Sequence, residues 1–374
     1  MRIAIVGPFP PFRGGIADLN SALAYHLSKM HEVHAFNFTT QYPKAFFPGK
    51  TQYKSGGAAQ DFHNIRCLSS INPLTWKQTA DLIIKLKPDL VLFRYWMPFF
   101  APAFSGVAKR IIKKSDSVIM AICDNVIPHE KRQLDTLLTK RFFGFIDSFV
   151  VLSKKVEDEL LSFVPEAKYK YSPHPIYSIF GDAPSQKQAK AELNISTKKV
   201  LMFFGLIREY KGLDILIHAM EEIKDKLENF TLLIVGECYG DEKKYTDLIN
   251  NAGITDNVQC HFSFIPDNEV GKYFSASDVI VLPYKTASQS GIVQIAYHYD
   301  TPVIVSNVGG LPEIVDDGKT GFCVEPNPSS FADAIRLFYS IQDKESFRSN
   351  IAEYKKRFSW DVMVKTVEEL AYAG

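Results

Sequence analysis

Apolar runs of four to seven residues alternate along this chain with segments whose apolar positions recur at helical spacing. That alternation marks parallel strands covered on both faces by crossover helices. It predicts strands over Arg2–Gly7, Glu32–Phe36, Asp89–Arg94, Ser117–Ile122 and Ser148–Leu152. Helices are expected near Ile16–Ser28, Trp76–Lys85, Pro102–Lys113, Glu130–Phe142 and Lys155–Ser162. The stretch Pro173–Gly181 (PHPIYSIFG) then runs into polar GDAPSQKQAK, with the Pro, Gly and polar content of a linker. Beyond it the pattern restarts, with strands at Lys199–Phe204, Phe230–Val235, Val258–Phe262, Val279–Leu282 and Pro302–Ser306. The intervening helices are Gly212–Lys224, Lys243–Asn251, Asn268–Ser275 and Gly291–Tyr299, with further helices through Ile335 and beyond. The expected fold class is α/β, two doubly wound parallel sheets, divided as 1–180, 181–355 and a terminal helix at 356–374.

Length supports two cores, since 374 residues exceed what one compact core usually holds. Charge removes several function classes. Forty-three Lys and Arg nearly cancel 42 Asp and Glu, so no global basic field exists to hold nucleic acid or an anionic membrane. Cys67, Cys123, Cys238, Cys260 and Cys323 are scattered without a CxxC pair, which argues against a disulfide framework or zinc site and for a reducing cytoplasm. No apolar stretch approaches the ~20 residues that span a bilayer. The aromatic run Tyr95–Phe100 reads as buried packing, with peripheral membrane contact as the other reading.

Candidate chemistry falls where strands end. After the first strand, Gly14 and Gly15 precede a helix, so bare backbone N–H groups can approach an anion. A tight turn with no ligand explains the same residues. The second half opens with FFGLIREYKG, which brings Gly205, Arg208 and Lys211 to the carboxyl edge of a sheet. An Arg fork beside a Lys point charge suits a diphosphate whose negative charge grows as its bond to a sugar breaks, although two basic residues in a polar loop are also ordinary surface. Ser290, Gly291 and Ile292 open a helix that can accept phosphate oxygens. Gly309, Gly310, Pro312 and Glu313 read as a second turn at that edge. In the first half, CDNVIPHE sets Asp124, Asn125, His129 and Glu130 after a buried strand, a polar cluster that can line a ligand cleft.

The segments FFGLIREYKG, LIVGE, SDVIVLPY, QSGIVQIAY and TPVIVSNVGGLPEIVDDGKTGF, with the terminal FSWDVMVKTVEEL, resemble the retaining glycosyltransferases of family 4. In the first half the resemblance rests on the glycine loop, CDNVIPHE, VVLS and PHPIYSIFG. It implies the GT-B fold, two Rossmann-like domains facing across a cleft. The second domain would hold a nucleotide-diphosphate sugar, UDP before GDP, and the last helix would cross back. It also implies the site residues: Arg208 and Lys211 on the diphosphate, Gly14 and Gly15 near the donor phosphates or acceptor, and Gly205 and Glu237 within the matched donor-side segments. Phe264 and Ile265 would lie by the base, with Ser290, Gly291 and Ile292 as backbone donors. No metal or other cofactor is implied. The acceptor would be a glycan or lipid-linked hydroxyl, attacked on the front face while the leaving diphosphate helps remove its proton.

Two departures stand out. The family's E-x7-E glutamates would fall at Ala287 and Ile295, and Cys123 stands where a histidine is usual, leaving Asp124 or His129 as substitutes. A silent sugar-nucleotide-binding paralogue and a GT-B-like epimerase or phosphorylase are the competing readings. A dehydrogenase is weaker, because neither half carries GxGxxG followed by an acidic residue about 20 positions on.

Overall fold

The structure is a computed structural model and describes residues 1–43, 51–53, 62–127, 134–177 and 180–372. The chain divides into two compact units, Met1–His174 with Phe358–Gly374, and Pro175–Arg357.

The first unit runs β1 (Arg2–Val6), α1 (Gly15–Ser28), β2 (Glu32–Thr40), β3 (His63–Ser69), α2 (Pro73–Leu86), β4 (Leu90–Tyr95), α3 (Ala101–Ile112), β5 (Val118–Cys123), α4 (Asp135–Phe143), β6 (Ser148–Val151), α5 (Lys154–Phe163) and β7 (Tyr169–Tyr171). Its strands form one parallel sheet in the order β3-β2-β1-β4-β5-β6-β7. The central strands are largely apolar because helices cover both faces. Every residue of β4 is buried. Helix starts follow local chemistry: the Asn72 side chain accepts from Leu74 N–H ahead of Pro73, and Ser153 accepts from Val156 N–H.

The second unit contains α6 (Gln186–Glu192), β8 (Lys199–Phe204), α7 (Leu213–Ile223), β9 (Phe230–Val235), α8 (Glu242–Ala252), β10 (Val258–His261), α9 (Asp267–Ala276), β11 (Val279–Leu282), α10 (Gly291–His298), β12 (Val303–Ser306), β13 (Gly321–Val324), α11 (Pro328–Ser340) and α12 (Glu345–Tyr354). Its sheet order is β10-β9-β8-β11-β12-β13, again all parallel. The order reverses between β8 and β11, and at such a switch point an open α/β sheet leaves a crevice at its carboxyl edge.

The last helix, α13 (Trp360–Tyr372), belongs to the first unit. Trp360 stacks on His26 with ring centroids 5.2 Å apart, Glu368 meets His31 at 2.7 Å, and Glu369 pairs with Lys170.

The aromatic run after β4 lies inside. Tyr95 and Phe100 have no exposed surface and Trp96 is buried against Phe100 at 4.2 Å, so the reading of this run as buried packing agrees with the structure. Two short edge strands, β7 and β13, and the polar β3 escape the sequence pattern.

Candidate functional site

In the second unit, β8 ends at Gly205, whose φ of 112° is open only to glycine. Gly205 N–H donates to Val235 O, and Gly236 N–H donates to His261 O, so the carboxyl ends of β8, β9 and β10 are stitched in sequence. A Cβ on Gly236 would lie 1.9 Å from the Gly205 carbonyl oxygen, and one on Gly205 would lie 3.2 Å from Ile292. Gly205 and Ile292, distant in sequence, therefore meet.

Arg208 leads into a short turn, Glu209–Lys211, closed by Gly212 in the left-handed conformation. Gly212 approaches Pro283 so closely that a Cβ would sit 1.8 Å from its carbonyl oxygen, and Lys285 N–H donates to Tyr210 O. These contacts bind the Arg208–Lys211 turn to the loop that leads from β11 into α10. Lys211 Nζ lies 3.7 Å from the centre of the buried Tyr284 ring, and the Tyr284 hydroxyl is 3.4 Å from Ser290 Oγ. Ser290 is the N-cap residue of α10, yet its side chain makes no capping bond. Lys211, Tyr284, Ser290 and the start of α10 thus form one continuous group.

The charges here are unevenly matched. Glu209 takes Lys244 at 2.7 Å and Lys285 at 3.5 Å, and Lys285 also meets Asp214 at 2.8 Å. Among the described residues, neither Arg208 nor Lys211 has a carboxylate within salt-bridge distance. Arg208 instead lies 4.9 Å over the Tyr239 ring. Loss of hydration at the Lys211 ammonium, with the Arg208 charge adding to it, pulls its pKa down to about 8. Two cations held together without a counterion among the described residues favour an anionic ligand.

Glu237 is buried at the end of β9, its carbonyl accepting from Ile207 N–H. Ile265 is buried and Phe264 exposed in the loop after β10. Ala287 and Ile295, the positions of the expected glutamates, are both buried and apolar. Residues the sequence reading missed are Tyr284 and Tyr239, and also Tyr177, whose ring comes within 3.1 Å of a Cβ built on Gly291. It also missed Ser288 Oγ and the Gln294 amide, which are buried and accept or donate no hydrogen bond. A lone glutamine on the apolar side of α10 was the available signal.

In the first unit, Gly14 has φ 116° and a Cβ there would meet nothing within 4 Å, while Gly15 opens α1. The loop before it is pinned by Asn37, fully buried, which accepts from Phe9 N–H and donates to the Phe9 and Pro10 carbonyls. Asp124 lies at the carboxyl edge, as expected, but both its oxygens accept from Arg94, at 2.6 Å each, and both residues are buried. The neighbouring Cys123 thiol is pushed far up by burial, so it stays protonated. His129 and Glu130 lie outside the described residues.

The fold is that of GT-B glycosyltransferases. HepE of Anabaena, in complex with UDP-glucose, superposes with a TM-score of 0.76 over 100% of both chains at 16% identity. The family described as Glycosyl transferases group 1 matches residues 185–358. An uncharacterized glycosyltransferase of Methanocaldococcus jannaschii is 30% identical across 98% of this chain and 96% of its own. The D-inositol 3-phosphate glycosyltransferase of Corynebacterium efficiens is 27% identical over 58% of this chain, which spans about half (54%) of that relative's length. The chain belongs to the group 1 glycosyltransferases.

Proposed function

We propose that this protein transfers a hexose-type sugar, with retention, from a nucleotide-diphosphate sugar to a hydroxyl of a glycan or lipid-linked acceptor, in cell-surface polysaccharide synthesis on the cytoplasmic side. The observation that carries this reading is the Arg208–Lys211 pair, close together and without a salt-bridging carboxylate among the described residues, beside the start of α10.

In this reading the glycosidic C–O bond to the diphosphate breaks, and both bonding electrons leave on the phosphate oxygen. Arg208, Lys211 and the first N–H groups of α10 stabilise that charge, which grows toward the transition state. The acceptor oxygen bonds to the same face of the anomeric carbon, and its proton passes to the departing diphosphate. The two side chains carry the charge a divalent metal would otherwise supply, so the reaction is proposed to run without one. UDP is the preferred nucleotide, supported by UDP-glucose in HepE on the same fold.

A second reading, donor binding without turnover, is favoured by the apolar character of Ala287 and Ile295. Thermal stabilisation by UDP-, GDP- and ADP-sugars, followed by donor hydrolysis in the parent and in the double variant R208A/K211A, separates the two. Stabilisation lost in the double variant supports the diphosphate placement, and stabilisation that persists there overturns it. Stabilisation without hydrolysis or transfer favours the silent paralogue.

A further inference from the structure

The first turn of α10 is poorly fixed by its own sequence. Ser290 at the N-cap makes no capping bond, the turn holds no acidic residue, and Gly291 is the first helical residue. A glycine there is ordered at a greater entropic cost than alanine would be, and an uncapped start leaves its N–H groups without side-chain partners. Such a start keeps those groups open to an anion, because an Asp or Glu cap would compete for them. It also means that the turn must be held from outside.

Two contacts hold it. On one side Ile292 meets Gly205 at the end of β8. On another, the Tyr177 ring lies so near Gly291 that a Cβ there would come within 3.1 Å of both its Cε2 and its hydroxyl oxygen. Gly291 lies inside a helix and has no left-handed φ, so its backbone conformation does not call for glycine. The approach of Tyr177 does. Tyr177 is buried and stands at the entrance of the second unit, which begins at Pro175. Its ring packs on Phe180 with centroids 5.7 Å apart. The Phe180 carbonyl accepts from the Tyr299 hydroxyl at 3.2 Å, and His298 Nε2 lies 3.3 Å from the Gly181 carbonyl oxygen. The entering chain is thus fastened at both ends of α10, by a ring at the start and by carbonyls at the finish.

We infer that Tyr177 is a positioning residue of the diphosphate site: its ring fixes the first turn of α10, and so the direction of the N–H groups that meet the anion. This inference rests on the donor reading proposed for the protein. A phenol ring suits the task because it supplies contact area without negative charge, whereas a carboxylate cap would cancel the attraction of the helix start for phosphate. Gly291 follows from the same contact, since only a residue without a side chain admits the ring.

The test is made on variants of the full chain. Y177A should speed amide hydrogen exchange at Ile295 and Ala296, whose N–H groups close the first turn of α10, in the nucleotide-free protein. It should also weaken UDP binding by about tenfold in isothermal titration, the scale on which a misaligned binding group acts. GDP and ADP are titrated alongside. Y177F keeps the ring and should match the parent in both measurements. G291A should speed exchange beside Tyr177 by collision, yet slow it in the Y177A background, where the space admits the methyl group and alanine favours the helix. Circular dichroism shows which variants are folded, and Y177L takes the place of Y177A should alanine prevent folding. Faster exchange with unchanged nucleotide affinity would make Tyr177 structural only and overturn the inference. Unchanged exchange, or G291A acting with the same sign in both backgrounds, would overturn it too. A parent that binds none of the three nucleotides sinks the donor reading and this inference with it, an outcome told apart from the others because exchange is read without nucleotide.

Discussion

Lys211 sits 3.7 Å above the Tyr284 ring, and that ring in turn touches the residue that opens α10. The aromatic face supplies the ammonium with a partner that carries no full negative charge, leaving its attraction for an anion intact. Tyr284→Phe keeps the ring and is expected to hold nucleotide affinity within about threefold, whereas Tyr284→Leu should weaken it by roughly 0.5–2 kcal/mol. Isothermal titration with UDP compares them, and equal losses would discount the ring.

Nucleotide binding should depend on pH through the same lysine. Its pKa in the free protein is lowered to about 8, and a bound diphosphate favours the charged form, raising it. Affinity is therefore full below pH 8 and falls as pH rises from there toward the higher pKa of the complex. Lys211→Arg should flatten the curve, because guanidinium keeps its proton throughout. A titration series across this range with both proteins checks the slope.

Asp124→Asn distinguishes a structural from a catalytic role. Removing one partner of a buried ion pair leaves Arg94 uncompensated, and a loss of about 3–5 kcal/mol in stability is expected. Urea denaturation measures it. A variant of unchanged stability with abolished turnover would instead make Asp124 a group that acts on substrate.

Two glycines with disallowed φ should respond differently. Gly14→Ala meets open space and is expected to cost about 1–3 kcal/mol from strain alone. Gly236→Ala adds a collision with the Gly205 carbonyl and should cost clearly more, or prevent folding. Comparable denaturation midpoints for the two would rule out the close approach of the β8 and β9 ends.

Most strands were legible because burial on both faces leaves continuous apolar runs: Lys199–Phe204, Phe230–Val235 and Val279–Leu282 agree with the structure at both ends. Strand β3, HNIRCLS, was not, since as an edge strand it exposes His63, Ile65 and Arg66 and carries no clean alternation. Strand β13, GFCV, was hidden because it lies at the sheet edge with only Gly321 buried, so it leaves no buried apolar run. At the candidate site the cations and glycines were visible as residue types in a spacing. Tyr284 was not, because it reads as one more core aromatic until the Gly212–Pro283 approach swings Lys211 over it. The Arg94–Asp124 pair was equally invisible, as its partners come from adjacent strands 30 positions apart.

The placement of α13 has a bearing on biosynthesis. Its Trp360, Glu368 and Glu369 meet His26, His31 and Lys170, so the amino-terminal unit lacks one of its own helices until translation has passed the entire second unit. The nascent first unit must therefore persist on the ribosome with the α1 surface uncovered. That is an interval in which chaperone capture competes with completion, and a premature stop codon after residue 357 would strand the amino-terminal half rather than the carboxyl-terminal one.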